Sequence, residues 1–133
     1  MRFIDTNLFL RYFTRDEEEK AQKVLALLKR VEKNEEKATT SPLVIFETIF
    51  TLESFYKIPK KEIKELMLPI LNLRGLKLPD KGIYQQALDA YAKKNISFTD
   101  AFNATFCLKK GIKEIYSYDE DFDKIEGIKR ITP

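Results

Sequence analysis

Phe3-Ile4-Asp5-Thr6-Asn7-Leu8-Phe9 is the stretch on which the fold turns. Two apolar residues run into an acid and two small polar residues. Leu8, Phe9, Tyr12 and Phe13 then follow at helical spacing. The stretch predicts a short strand that ends at Asp5 and hands over to a helix. Asp16 to Glu19 opens a second helix, with acids in the first turn where the helix dipole favours them. Ala38-Thr39-Thr40-Ser41 is small and β-branched and predicts a second strand. Ser41-Pro42 then starts a helix, a cap residue followed by proline at the first helical position. Its body, Leu43 to Tyr56, is mostly apolar and is expected to lie deep.

The pattern repeats along the chain. A helix from Lys60 to Leu73, kinked by Pro69, leads to a brief strand at Leu76 to Leu78. An amphipathic helix spans Ile83 to Lys94. Thr99 is expected to cap a buried helix, Asp100 to Lys110, stopped by Gly111. A strand at Glu114 to Tyr118, a short helix or turn at Asp119 to Ile125 and a last strand at Lys129 to Ile131 complete the chain. Strands alternating with helices favour a parallel sheet covered by helices on both faces. Ligands of such sheets bind outside the carboxyl ends of the strands.

Composition bounds the chemistry. The 133 residues suit one domain, 1–133, with no linker or repeat. A chain of this size buries roughly two-thirds of its unfolded surface, so it needs no disulfide to hold a core. There is no histidine, which removes Ser-His-Asp hydrolysis and imidazole acid–base chemistry. Cys107 is the only cysteine and is expected to be a small buried apolar residue. Each of the four glycines is followed by Ile or Leu, so there is no glycine-rich phosphate loop. The longest apolar run is Val24 to Leu28, far short of the roughly 20 residues of a membrane span. Met1 to Asp5 does not resemble a secretory signal, and a cytoplasmic location is expected.

Acids occupy the predicted strand ends. Asp5 ends the first strand, and Asp119, with Asp121 two residues on, follows the fourth. Glu47 lies early in the helix after the second strand, among Val44, Ile45, Phe46, Ile49 and Phe50. Asp100 opens the Ala101-Phe102-Asn103-Ala104 helix. Singly, Asp100 is also explained as a helix-start acid and Asp119 as a turn residue. Together they are harder to dismiss. Two carboxylates about 4 Å apart repel by about 4 kcal/mol at an effective dielectric of 20. Divalent cations remove that conflict, and oxygen-only ligands suit Mg²⁺ or Mn²⁺. Such ions activate water and stabilise charge on a phosphodiester. Setting four acids aside leaves 17 against 24 basic residues, a balance of +7 that suits a polyanion. Arg2, Arg11 and Arg15 lie near Asp5 in sequence and are candidate phosphate contacts. Phe46, Phe50, Phe55, Phe98, Phe102 and Phe106 are expected in the core. Tyr12 and Phe13 are candidates for a dimer or partner surface.

The same residues resemble the PIN domain family (PilT N-terminus type). Phe3-Ile4-Asp5-Thr6-Asn7 is similar to its opening motif, Phe46-Glu47 to its second acid, and Thr99 to Ala104 to its third. Tyr116-Ser117-Tyr118-Asp119-Glu120-Asp121-Phe122 is similar to its last, and Gly127 to Pro133 to its end. The resemblance implies a three-layer α/β/α sandwich with a short central parallel sheet. It also implies an Mg²⁺- or Mn²⁺-dependent ribonuclease close to VapC-like toxins, which often dimerise and are restrained by a small antitoxin. Asp5, Glu47, Asp100 and Asp119 would then be the site acids, with Asp121 sharing or taking the role of Asp119. Thr6, Asn7, Asn103 and Ser117 would support them.

Other readings fit less well. A dehalogenase-type phosphatase needs an acid where Asn7 stands. An EF-hand needs glycine where Lys124 stands. A receiver domain needs an acidic pair where Arg2 and Phe3 stand. A PIN-like module that binds RNA or protein without cutting remains the alternative.

Overall fold

A computed structural model describes all residues, 1–133. They form two compact units, Met1–Pro79 and Asp80–Pro133.

The first unit runs β1 (Arg2–Phe3), α1 (Thr6–Thr14), α2 (Glu18–Glu32), β2 (Ala38–Thr39), α3 (Pro42–Ser54), α4 (Lys60–Leu71) and β3 (Leu76–Lys77). β2 lies between β1 and β3 and pairs parallel with both, Phe3 opposite Thr39 and Thr39 opposite Lys77. Pairing extends past β1, because Ile4 N–H donates to the Thr39 carbonyl at 2.9 Å. The buried Thr40 hydroxyl donates in turn to the Ile4 carbonyl at 2.7 Å. These bonds fix the backbone immediately before Asp5, which is the N-cap residue of α1.

The core of this unit gathers Ile4, Phe9, Val24, Leu28, Val31, Val44, Ile70 and Leu76. Each large apolar side chain so buried contributes about 1.5–3 kcal/mol. α2 supplies Ala21, Val24, Leu28 and Val31 from one face, as its heptad-like spacing requires. Gly75 lets the end of α2 approach β3: its N–H donates to the Val31 carbonyl at 2.9 Å, and its carbonyl accepts from Ala38 at 2.8 Å. A Cβ at Gly75 would collide with the Glu36 carbonyl and lie 2.6 Å from that of Val31. α4 continues through Pro69, which is exposed, and ends two residues later.

The second unit runs α5 (Lys81–Lys94), α6 (Phe98–Lys109), β4 (Glu114–Tyr116), a 3₁₀ helix (Glu120–Lys124) and β5 (Lys129–Ile131). β4 and β5 pair parallel, Ile115 opposite Arg130, and Ser117 N–H extends the ladder to the Ile131 carbonyl at 3.1 Å. α5 packs Ile83, Tyr84, Ala87, Leu88 and Tyr91 inward. Aromatic contacts bind it to α6: Tyr84 to Phe102 at 5.4 Å and Tyr91 edge-on to Phe98 at 5.8 Å. Gly111, at φ +71°, takes the left-handed conformation just beyond α6.

The expected α/β class with short parallel strands is the one observed. The ladders are two, of three and two strands. No helix is long and apolar enough to cross a membrane. Four expectations need correction. α6 begins at Phe98 and is capped by Ser97, not Thr99, because the Ser97 hydroxyl oxygen accepts the Asp100 N–H at 3.1 Å. α3 is not deep throughout: Val44, Ile45, Thr48, Ile49 and Leu52 are buried, whereas Leu43 is 77% and Phe50 69% exposed. Of the six phenylalanines expected in the core, Phe98 is buried and Phe46 and Phe102 are half-buried. Phe50, Phe55 and Phe106 are exposed. α3 is apolar on nearly every face, so periodicity alone does not select the covered one. Tyr12 and Phe13 are half-buried, stack on each other at 5.4 Å and pack on the first core. They are therefore not an open aromatic surface. Cys107 is buried, as expected.

Candidate metal centre

Three acids of the second unit are placed by their own backbones. Asp100 lies in the first turn of α6, where its N–H is held by Ser97. At the end of β4 the Ser117 hydroxyl oxygen accepts the Asp119 N–H at 2.9 Å. One Asp119 carboxylate oxygen then accepts the Asp121 N–H at 2.9 Å and caps the 3₁₀ helix. The outcome is a cluster: carboxylate oxygens of Asp100, Asp119 and Asp121 lie within 4.8 Å of one another. Asp100 and Asp121 are half-buried and Asp119 is exposed.

The electrostatics are those of a site short of positive charge. Burial, and then the hydrogen bond and charge of Asp119, push the Asp100 carboxyl above the usual carboxylate range. The Asp121 charge pushes the same way, and a hydrogen bond from Ser97 opposes it. Nearby cations are engaged elsewhere or weakly. Arg130 makes two 3.1 Å hydrogen bonds to Asp123. Lys124 meets Asp121 at 3.0 Å on the surface, a pair of the kind worth about 1 kcal/mol or less. Three clustered carboxylates without histidine or cysteine form a hard, oxygen-only donor set, which fits Mg²⁺ or Mn²⁺.

The remaining expected residues are distributed as follows. Asp5 is exposed and makes no side-chain cap bond to α1. Thr6 beside it is buried, and its hydroxyl oxygen has no hydrogen-bond partner. A buried polar group left so costs about 1–3 kcal/mol. Glu47 is exposed on α3, contrary to the expectation of an acid enclosed by apolar neighbours. Asn7 is exposed and lines a surface pocket of about 290 Å³ with Leu8, Arg11, Lys20, Lys23 and Val24. Asn103 is exposed one turn after Asp100, and Ser117 is half-buried. Arg11 pairs with Asp16 at 3.3 Å and Glu17 at 3.7 Å. Arg15 pairs with Glu18 at 3.1 Å and lies over the Tyr12 ring. Arg2 pairs with Glu36 at 2.9 Å. The structure thus brings Asp100, Asp119 and Asp121 together in the second unit, while Asp5 and Glu47 belong to the first.

Sequence reasoning missed Ser97 as a positioning residue. The signal was present: Ser97-Phe98-Thr99-Asp100 has the Ser-x-x-acid spacing of a helix start.

Comparison with known sequences agrees with the motifs. The profile of the PIN domain family matches residues 2–128. The chain belongs to the PIN domain family, and with it to the α/β/α fold class expected from the sequence. Among individual proteins it is similar to a VapC ribonuclease of Aquifex aeolicus (strain VF5). The two are 29% identical over 133 residues, which cover all of this chain and 97% of that protein.

Proposed function

We propose that this chain is a divalent-metal-dependent endoribonuclease and the toxin of a VapBC-type toxin–antitoxin pair. The observation that carries the reading is the Asp100, Asp119 and Asp121 cluster, in a chain of the PIN family whose full-length relative is a ribonuclease. These three acids would hold Mg²⁺ or Mn²⁺. Both Asp119 and Asp121 belong to the set, Asp119 also fixing the backbone of Asp121. Asp5 and Glu47 carry the same assignment by resemblance to the family motifs.

When bound, the ion supplies activation of water and stabilisation of charge on the phosphate. The chain supplies position. Ser97 and Ser117 fix two of the acids through backbone N–H groups. Thr6, Asn7 and Asn103 border them in sequence and are assigned supporting roles. With no histidine, no imidazole moves the protons. In the proposed hydrolysis the water oxygen bonds to phosphorus as the P–O3′ bond breaks. A 5′-phosphate and a 3′-hydroxyl remain, and the 2′-hydroxyl is not the nucleophile. Arg11 and Arg15 are proposed phosphate contacts. Their surface ion pairs are weak enough for a polyanion to displace. Exposed Leu43 and Phe50 support a homodimer, and the cytoplasm is the proposed location.

The test is cleavage of end-labelled structured RNA by the purified chain with Mg²⁺, with Mn²⁺ and with EDTA, beside Asp100→Asn. Metal-dependent cleavage lost in a folded variant is expected. Cleavage by the variant at the parent rate would refute the site. Metal binding without cleavage of any RNA would favour the non-cleaving module instead.

A further inference from the structure

Tyr116 and Tyr118 are each 76% exposed, and they flank Ser117 directly before Asp119. Neither ring makes an aromatic or cation–π contact within the chain. Along this segment exposure alternates: Ile115 and Ser117 are half-buried, Tyr116 and Tyr118 exposed. Tyr116 closes β4, and Tyr118 lies in the bend that follows, where the Ser117 hydroxyl oxygen accepts the Asp119 N–H.

We propose that Tyr116 and Tyr118 stack on nucleobases of the RNA strand and so hold the neighbouring phosphate against the acid cluster. The proposal rests on the ribonuclease reading and adds to it the contact that selects single-stranded substrate. A base stacked on a protein ring must leave the stack of its own strand, which a duplex does not permit without cost. Stacking of this kind tolerates any base, so it gives affinity for an open strand more than for a sequence. Tyrosine is suited to the place, because its hydroxyl keeps the ring compatible with water when no RNA is bound.

The test compares the full-length parent with Tyr116→Ala, Tyr118→Ala and Tyr118→Phe. KM and kcat are read in Mn²⁺ on a single-stranded oligoribonucleotide. Stacking is read separately, as fluorescence quenching of 2-aminopurine in the same oligonucleotide. Each alanine variant is expected to raise KM about 5- to 100-fold, to leave kcat within about threefold and to lose quenching. Tyr118→Phe is expected to match the parent, since the ring face is kept. Unchanged KM and quenching in the alanine variants would overturn the proposal while leaving the nuclease intact. So would a phenylalanine variant as weak as alanine. Loss of an oligomer in sedimentation, with RNA affinity unchanged, would assign the tyrosines to a protein contact instead. A parent that neither binds nor cuts RNA would overturn the ribonuclease reading and this proposal with it.

Discussion

The two units start a helix with the same device and put it to different uses. In the first unit, Ser41 caps α3 by accepting the Val44 N–H at 3.2 Å. The acid of that helix, Glu47, lies further along on an exposed face. In the second, Ser97 caps α6 by accepting the N–H of Asp100 itself. Ser117 and Asp119 repeat the arrangement for the next two acids. Acids tied to capped turns are held before any ion arrives. An acid on an open helix face keeps its rotamer freedom and loses it only on binding. Preorganisation of charge is therefore concentrated in Asp80–Pro133.

The strongest way to break this comparison is Asp100→Asn. Loss of one charged ligand should lower metal-dependent cleavage by about a thousandfold, because the bound ion is worth several kcal/mol to the transition state. The fold should persist, since the change relieves the burial of a charge, and then the like-charge crowding, that raise the Asp100 pKa. The melting temperature in EDTA should equal or exceed the parent's. A lower melting temperature would mean that Asp100 is a structural acid.

Gly75→Ala probes the first unit with the next largest effect. The added methyl meets two backbone carbonyls, which cannot swing aside as a side chain does. A loss of about 1–3 kcal/mol is expected in denaturant titration, as for overpacked cores. Gly111→Ala in the second unit meets no atom within 4 Å and suffers only its left-handed φ of +71°. It should cost about 1 kcal/mol, the lower end of the penalty for an L-residue in that region. Equal losses in the two variants would contradict the close approach of α2 and β3.

Ser117→Ala is expected to weaken Mn²⁺ affinity by about tenfold in calorimetric titration, the usual effect of removing a group that orients a ligand. It removes the oxygen that fixes the Asp119 backbone and leaves all three carboxylates in place. Unchanged affinity would show that the β4 end is rigid without it.

Much of this was readable in the chain before its structure. The order of strands and helices follows from punctuation: Asp5-Thr6-Asn7, Ser41-Pro42 and Gly111 each mark a boundary that local chemistry alone decides. The clustering of Asp119 and Asp121 follows from their adjacency. Exposure is not legible on a helix whose apolar residues occupy more than one face. α3 offers Leu43, Val44, Ile45, Phe46, Ile49 and Phe50, and only packing selects which of them are covered. The cap of α6 was misplaced for a related reason. Ser97 and Thr99 are both good caps, and the choice is made by which hydroxyl meets an N–H three residues on.

The finest test separates the two caps. Ser41→Ala and Ser97→Ala remove chemically equal bonds, 3.2 and 3.1 Å long, each at the first turn of a helix of similar length. Each should cost about 1 kcal/mol of stability, and on that measure they should be indistinguishable. Metal affinity should tell them apart. Ser41 holds the N–H of Val44, which bears no charge, so Mn²⁺ affinity should stay at the parent value. Ser97 holds the N–H of Asp100, and its hydroxyl also draws the Asp100 pKa downward. Its loss frees the acid to rotate and removes a donor that favours the charged form. A fewfold loss of Mn²⁺ affinity is expected in Ser97→Ala alone. An equal loss in both variants would mean that affinity follows overall stability, and that the capped turn does not preorganise the acid it holds.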